Sequence, residues 1–238
     1  MKFKNSLLLI TLLFVAFTYN LSSQKLDFGL KGSINASYFH GDYIYTGETL
    51  TLDPEPRLST RFSGGGFIRY NFTNITSIQT ELLYTSRGAR FRESLEFRNQ
   101  TLDLNGDLTL TYIELPVLLR FTTTLPDRGP TFVQEPGFTY NAYTGASFAY
   151  KTNATFSGRL TGEVFGDDFS ERFNNRVWNQ FSDTDVSFIV GAGFEYGIQY
   201  RFTLDIRYVI SVTDIGSDSQ FPDDIRNGMV SVFVGAVF

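Results

Sequence analysis

Apolar and polar residues alternate along eight stretches of this chain, most cleanly in the last one. In residues 227–238 (NGMVSVFVGAVF) one parity is wholly apolar and comprises Val230, Val232, Val234, Ala236 and Phe238. Successive side chains of a β-strand point to opposite faces, so this parity forms one continuous apolar face. The other parity mixes serine and glycine with larger apolar residues. Such a strand needs an apolar cover, and lipid is the simplest cover if the strands close into a barrel.

Seven further stretches alternate in the same way, and each predicts a strand. They are residues 25–38, 61–72, 76–90, 111–121, 138–151, 183–196 and 201–212. Within the fourth of the eight strands, Pro116 cannot donate to a sheet ladder and predicts a bulge or a local distortion.

The connections between these strands differ in length. Those that predict long polar loops are residues 39–59, 91–107, 152–182 and 213–226. Residues 73–75 and 197–200 predict short turns, so long and short connections alternate along the chain. The proline-rich connection at residues 124–137 is the exception to this alternation. Long outer loops and short periplasmic turns are typical of outer-membrane proteins. The sequence therefore predicts an all-β fold, an eight-stranded antiparallel up-and-down transmembrane β-barrel.

The N-terminus has the composition of an export signal. Lys2 and Lys4 precede a predominantly apolar run at residues 7–17, and polar residues follow at 20–24. This order is typical of a cleavable secretory signal peptide, whereas a membrane-spanning helix needs about 20 apolar residues. We predict a signal peptide at residues 1–23, export through the Sec pathway, and an outer-membrane barrel domain at residues 25–238.

Composition excludes some functions without choosing the fold. The 238 residues include no cysteine, which rules out disulfides, thiolate catalysis and cysteine-bound metals. The net charge of −5 argues against nucleic acid as a partner. A mean hydropathy of −0.10 resembles that of a soluble protein, but transmembrane barrels have low hydropathy because each strand is only half apolar.

Charged residues concentrate on the parity that faces away from lipid in the predicted barrel. The cations are Lys31, Arg69, Arg87, Arg120, Lys151 and Arg207. The anions are Asp27, Glu81, Glu114, Asp185, Glu195 and Asp205. Equal numbers of the two signs are expected where buried ions are paired. These residues could form a proton or ion path, but we favour a structural network, because side chains fill the interior of an eight-stranded barrel.

Several segments resemble a known family. In chain order they are FGLKGSINASYF, GGGFIRYNF, IQTELLYTSRG, TYIELPVLLRF, GAGFEYG, LDIRYVISVTDI and GAVF, with residues 81–88 and 112–120 the most specific. Together they resemble the PorT-family outer-membrane barrels of Bacteroidetes-type bacteria. The resemblance implies an eight-stranded barrel whose last strand, through Val234, Ala236 and Phe238, is recognised by the barrel-insertion machinery. One family member supports secretion of proteases, an activity that we do not transfer to this chain.

Candidate catalytic and metal-binding residues are few. His40 is the only histidine, and a hydrolase would need it as a base, with Asp42 nearby, but a solvated loop histidine is the commoner case. The spacing of Asp103, Asn105, Asp107 and Glu114 is that of a calcium loop, except that Leu108 replaces the required glycine. The triglycine run at residues 64–66 is not followed by a helix pattern that would make it a phosphate site. We assign no catalytic residue, cofactor or metal.

The sequence favours a non-enzymatic integral protein of the outer membrane with a structural, surface-interaction or envelope-assembly and secretion-associated role. Outer-membrane lipid would contact its apolar face. Tyrosines near the strand ends would form interfacial girdles, namely Tyr38, Tyr70, Tyr84, Tyr150, Tyr196 and Tyr208. Three alternatives stay open: a soluble lipocalin-like carrier of an apolar ligand with the charged parity outside, a barrel enzyme acting on lipid or peptide, and a small pore.

Overall fold

Eight of the twelve strands in the described part of the chain close into a barrel. The computed structural model describes residues 26–41, 45–46, 51–52, 55–97, 100–123, 137–164, 167–198, 200–216 and 225–238. The strands are β1 (Leu26–His40), β2 (Tyr45–Thr46), β3 (Thr51–Leu52), β4 (Glu55–Arg57), β5 (Ser59–Asn71), β6 (Thr76–Phe97), β7 (Gln100–Thr122), β8 (Gly137–Val164), β9 (Asp167–Arg176), β10 (Thr184–Gly197), β11 (Arg201–Ser211) and β12 (Arg226–Val237). A 3₁₀-helix at Trp178–Gln180 lies between β9 and β10. The predicted signal peptide and the connection at 124–136 lie outside the described residues.

The barrel is an antiparallel ring in the order β1, β5, β6, β7, β8, β10, β11, β12. Pairing of β12 with β1, from Gly29 opposite Val237 to His40 opposite Arg226, closes the ring. At one end of the barrel, the turn end, lie the short turn at 72–75, the end of β10, the start of β11 and the C-terminal Phe238. This topology confirms the predicted eight-stranded antiparallel barrel. No helix in the described residues is long and apolar enough to cross a bilayer.

The two faces of the barrel wall have opposite polarity. Large apolar side chains are exposed on the outside, for example Leu30 at 61%, Phe62 at 65% and Phe202 at 74%. The alternate residues are buried and mostly polar or charged, as in the regular alternation of burial along β1. This orientation agrees with the predicted lipid-facing parity and is the reverse of the one that a lipocalin-like carrier needs.

Three barrel strands run on past the rim at the end opposite the turn end. The strands β6, β7 and β8 have 22, 23 and 28 residues, whereas β1 has 15 and β11 has 11. Beyond the rim they form, with β4 and β9, a sheet in the order β4, β6, β7, β8, β9, which we call the outer sheet. The prediction of polar loops at 91–107 and 152–182 is therefore wrong over most of both ranges.

One bulge separates the barrel part of β8 from its part in the outer sheet. Tyr112 on β7 pairs with Lys151, whereas Thr111 pairs with Asn153, so Thr152 is an extra residue. An extra residue exchanges the two faces of the strand after it.

At Pro116 there is no register shift; the pairs between β6 and β7 that would involve residues 115 and 116 are missing. Pro116 therefore causes the predicted local distortion, without a bulge.

An apolar cluster, which we call the apolar cap, fills the lumen next to the outer sheet. Its buried members are Phe39, Ala89, Phe91, Leu108, Leu110, Tyr112, Ala149, Ala154, Phe181, Ile215 and Ile225. They come from four barrel strands, from the segment after the 3₁₀-helix and from the connection between β11 and β12. The segments predicted as polar loops thus supply part of the packed interior.

Candidate functional site: the charged lumen

Two carboxylates and three guanidinium groups form a cluster near the turn end of the lumen. Glu195 Oε1 lies 2.7 Å from Arg69 Nη2 and 2.5 Å from Arg120 Nη2, and its Oε2 lies 3.2 Å from Arg201 Nη1. Asp27 Oδ2 lies 2.7 Å from Arg201 Nη2 and 3.7 Å from Arg69 Nη1. All five residues are buried. Because they belong to five different strands, their ion pairs connect the wall across the lumen.

A second cluster lies in the middle of the barrel around Glu81. Its carboxylate accepts two hydrogen bonds from Arg207, at 2.9 Å from Nη1 and 2.8 Å from Nη2, and lies 2.6 Å from Lys31 Nζ. The guanidinium of Arg207 also lies 4.6 Å from the ring centre of Phe233. Gln79 joins this cluster to the first one, since its amide donates to Glu81 at 2.6 Å and its carbonyl oxygen accepts from an arginine of the turn-end cluster.

A third cluster lies next to the apolar cap. Arg87 is held between Glu114, at 2.9 Å from Nη2, and Asp185, at 2.8 Å from Nη1. Asp185 also accepts a hydrogen bond from Asn227 Nδ2 at 2.9 Å, and Glu114 accepts one from Ser147 Oγ at 2.6 Å. Bidentate and charge-assisted contacts of this kind are the strongest hydrogen bonds that proteins make.

Lys151 and Asp205 have surroundings different from those of the other predicted lumen charges. Lys151 is buried, but it pairs with Asp183 at 3.2 Å and donates to the carbonyl oxygens of Trp178 and Phe181. It therefore fixes the 3₁₀-helix beside the apolar cap and is not part of the three clusters. Among the described residues, the nearest cation to Asp205 is Arg120, with 4.0 Å between Oδ1 and Nη1, and no other described ion pair of the lumen is longer.

Several members of the clusters were not among the predicted residues. The most important is Arg201, which bridges Asp27 and Glu195. It has the same parity as the predicted Asp205 and Arg207, so the alternation itself would have found it. The uncharged members, such as Gln79 and Asn227, carry no comparable signal in the sequence.

The arrangement fills the lumen with fixed charges that neutralise one another. In the three clusters and at Asp205, six cations lie with six anions, and every carboxylate except that of Asp205 lies within 3 Å of a cationic nitrogen. A smaller apolar cluster lies on the inner wall beside them, formed by Leu118, Tyr143, Ile189, Val209 and Met229. Side chains thus occupy the lumen from the turn end to the apolar cap.

The residues considered for catalysis or metal binding do not form a site in the described part of the chain. His40 is exposed, with its ring centre 4.8 Å from that of Tyr38, and Asp42 lies outside the described residues. Asp103 is exposed on the outer sheet, whereas Glu114 is buried in the lumen, so they cannot bind one cation. Among the described residues, no group of three or more histidines or acidic residues could hold a metal ion.

Structures of other outer-membrane proteins are similar to this one at low sequence identity. OprG of Pseudomonas aeruginosa is 13% identical, with 89% of this chain and 95% of OprG covered and a TM-score of 0.43. Ail, the attachment invasion locus protein of Yersinia pestis, is 15% identical, with coverages of 90% and 100% and a TM-score of 0.35. The outer-membrane protease OmpT of Escherichia coli is 11% identical, with coverages of 91% and 97% and a TM-score of 0.36.

Family membership follows from the sequence match. No curated protein matches this chain. Residues 20–217 match the model of the outer membrane protein β-barrel domain, a range that includes seven of the eight barrel strands. The chain belongs to the outer membrane protein β-barrel domain family.

Proposed function

We propose that this protein is a non-enzymatic, non-conducting barrel that anchors the outer sheet at the cell surface, in a structural or surface-interaction role. The observation that carries the proposal is a contrast between two parts of the molecule. Ion clusters and the apolar cap fill the lumen, whereas a five-stranded sheet projects beyond the rim. A pore needs a continuous wet path, whereas here side chains fill the lumen along its length. The elaborated part of the molecule is the outer sheet.

The ion clusters act in this proposal as the internal frame of the barrel. A buried charge is costly without a partner, and each of these charges has its partner on another strand. The clusters therefore favour one strand order and one register over the alternatives. Arg87, for example, connects β6 to both β7 and β10.

Export and assembly complete the proposal. Residues 1–23 direct the chain into the Sec pathway, and the barrel-insertion machinery recognises the last strand through Val234, Ala236 and Phe238. These three residues lie on the lipid-facing side of β12, and the main-chain nitrogen of Phe238 donates to the carbonyl oxygen of Phe28 at 2.7 Å. The turn end faces the periplasm and the outer sheet faces outward. The segments at 81–88 and 112–120 support membership of the PorT family and an origin in Bacteroidetes-type bacteria. Such membership would give the protein an envelope-assembly or secretion-associated role.

Fractionation and conductance measurements test this proposal together. We expect the protein in the outer-membrane fraction, with a mobility on SDS gels that changes on boiling, as it does for closed barrels. The purified barrel in planar bilayers should give no stepwise conductance under conditions in which a general porin conducts. A detergent-free periplasmic pool would contradict the membrane placement, and reproducible single-channel steps would contradict the closed lumen.

A further inference from the structure

Exposed arginines are concentrated on one face of the outer sheet, which we call the arginine face. This face continues the lipid-facing side of the barrel. On β6, Arg90 has the same parity as the outward-facing Tyr84. On β8, the extra residue Thr152 shifts the alternation, so that Arg159 lies on the outward side. Its members are Arg57, Arg90, Arg92, Arg159, Arg172 and Arg176. With the barrel in the outer membrane, arginines on this side would point toward the surrounding lipid headgroups rather than over the mouth of the barrel.

Like charges are directly opposite each other on this face. Arg57 on β4 pairs in register with Arg90 on β6, and Arg159 on β8 pairs with Arg172 on β9. Side chains opposite each other in an antiparallel sheet have Cβ atoms about 5 Å apart, and like charges at that distance destabilise the pairing. An anion bound between the two guanidinium groups of a pair would reverse this repulsion.

The described residues leave most of this charge without a partner. Arg57, Arg159, Arg172 and Arg176 make no hydrogen bond or ion pair with the parts of the chain that the structure describes. In the strand register Glu55 lies opposite Arg92, and Asp107 lies opposite Arg90. The carboxylate of Asp107 already pairs with Arg61, with Arg90 Nε at 3.7 Å.

A cleft next to the arginine face fits the apolar part of a lipid. It lies on the outside of the barrel where β5 separates from β6, and its volume is about 420 Å³. Phe62, Gly64 and Tyr84 line its apolar side, and Thr60 and Ser86 lie on the side nearer the arginines. The change from apolar to polar lining follows the direction from lipid chain to headgroup.

We infer that the arginine face binds the phosphate groups of an anionic lipid in the surrounding outer leaflet, with part of a lipid chain in the cleft. The inference rests on the proposed placement of the outer sheet at the cell surface. Guanidinium groups bind phosphate in a bidentate manner. The face extends over five strands, about 19 Å, which is wide enough for more than one phosphate of a phosphorylated glycolipid.

Lipid binding by the full mature barrel in a neutral detergent tests the inference, with native mass spectrometry to count bound lipid. The probes are bisphosphorylated lipid A and the same lipid A without phosphates. The main variant replaces Arg57, Arg90, Arg159 and Arg172 by glutamine. Arg226→Gln is the matched control, because Arg226 is exposed on β12, away from the arginine face. A fourfold lysine variant keeps the charge but not the bidentate geometry.

We expect the wild type to bind bisphosphorylated lipid A at least ~10-fold more tightly than lipid A without phosphates. The glutamine variant should lose at least ~10-fold in affinity for the bisphosphorylated lipid, since each basic residue near an anionic lipid surface contributes about fivefold. The Arg226→Gln barrel should bind as the wild type does, and the lysine variant should lie between. Binding should weaken in high salt. Equal affinity for the two lipids, or an unchanged glutamine variant, would overturn the inference.

Two further results would also overturn it. Tighter binding of soluble polyphosphate or of a DNA oligonucleotide than of lipid A would assign the arginine face to a soluble polyanion. Mass peaks of a dimer that disappear in the glutamine variant would assign it to a second copy of the chain. Heat-modifiable mobility and absence of conductance, measured on the same samples, separate a failure of lipid binding from a failure of the proposed closed barrel.

Discussion

Replacing Glu81 by glutamine is expected to destabilise the barrel strongly, because two buried cations share its carboxylate. Glu81 is 1% exposed and lies within 3 Å of Lys31 Nζ and of both terminal nitrogens of Arg207. Glutamine keeps the size and one oxygen acceptor, but it removes the negative charge. Lys31 and Arg207 would then face each other without a carboxylate between them.

The magnitude follows from the kind of contact that is lost. Removing one partner of a buried ion pair costs about 3–5 kcal/mol, since the other charge stays buried and unpaired. The remaining oxygen of the new amide still accepts one hydrogen bond, so we take the lower limit, about 3 kcal/mol. A difference of about 3 kcal/mol changes the unfolding equilibrium more than 100-fold.

Urea titration of the barrel refolded in lipid vesicles, followed by the gel shift between folded and unfolded forms, measures this loss. Glu171→Gln is the matched control, because Glu171 is exposed on β9 and its replacement should change stability by less than about 0.5 kcal/mol. In a Lys31→Met background, the effect of Glu81→Gln should shrink, since only Arg207 is then left unpaired. If Glu81→Gln and Glu171→Gln unfolded at the same urea concentration, water would be screening the lumen charges and the reasoning would fail.

Three other variants test separate parts of the fold. Gly88→Ala should cost at least about 2 kcal/mol in the same titration, because Gly88 has φ of 147° and a Cβ there would overlap a main-chain carbonyl of β7. Gly64→Ala is the control: the nearest atom to a Cβ at Gly64 is 3.7 Å away, so alanine should be tolerated there. Phe238→Ala should lower the amount of inserted barrel in the outer membrane while stability of the refolded protein changes little. Lys151→Met should increase quenching of Trp178 fluorescence by acrylamide, since the lysine holds the carbonyl of Trp178 at 2.7 Å and lies 4.8 Å from the centre of its ring.

The wall of the barrel was predictable because lipid and lumen impose opposite polarity on alternate residues. For β1, β5, β10, β11 and β12 the predicted limits are within two residues of the observed ones. In these strands the outward parity is almost wholly apolar, and no residue interrupts the alternation. The twelve charged residues named from the sequence are all buried.

The outer sheet was missed because its two physical signals are weaker. Its outward residues are mostly polar or charged, so the stretches look like loops in the sequence. In β8 the extra residue at Thr152 also shifts the alternation, so that the inward residues change from Ala149 and Lys151 to Ala154 and Phe156. Counted separately after Thr152, the sequence NATFSGRLTGEV alternates well.

The partners within the lumen could not be predicted, even though the residues could. Parity gives the face of a side chain, but the contacts between opposite walls depend on the stagger of the strands around the ring. Arg87 on β6 reaches Asp185 on β10, and Lys151 bonds to the segment around the 3₁₀-helix, a contact that requires a turn not visible in the sequence. The sequence predicts that positive and negative charges in the lumen balance, but which of them form ion pairs depends on the geometry of the closed barrel.

Arginine occurs in two opposite electrostatic settings in this protein. In the lumen, Arg87 and Arg207 each face carboxylates of the same chain, so their charge is already neutralised. On the arginine face, Arg57 faces Arg90 and Arg159 faces Arg172. Repulsion between such pairs lowers the stability of the sheet. Among the described residues these four arginines have a single ion pair, 3.7 Å from Arg90 Nε to Asp107, whose carboxylate also pairs with Arg61. An anion bound from outside the chain would compensate for this repulsion, and that is the role that we propose for a phosphate of the surrounding lipid.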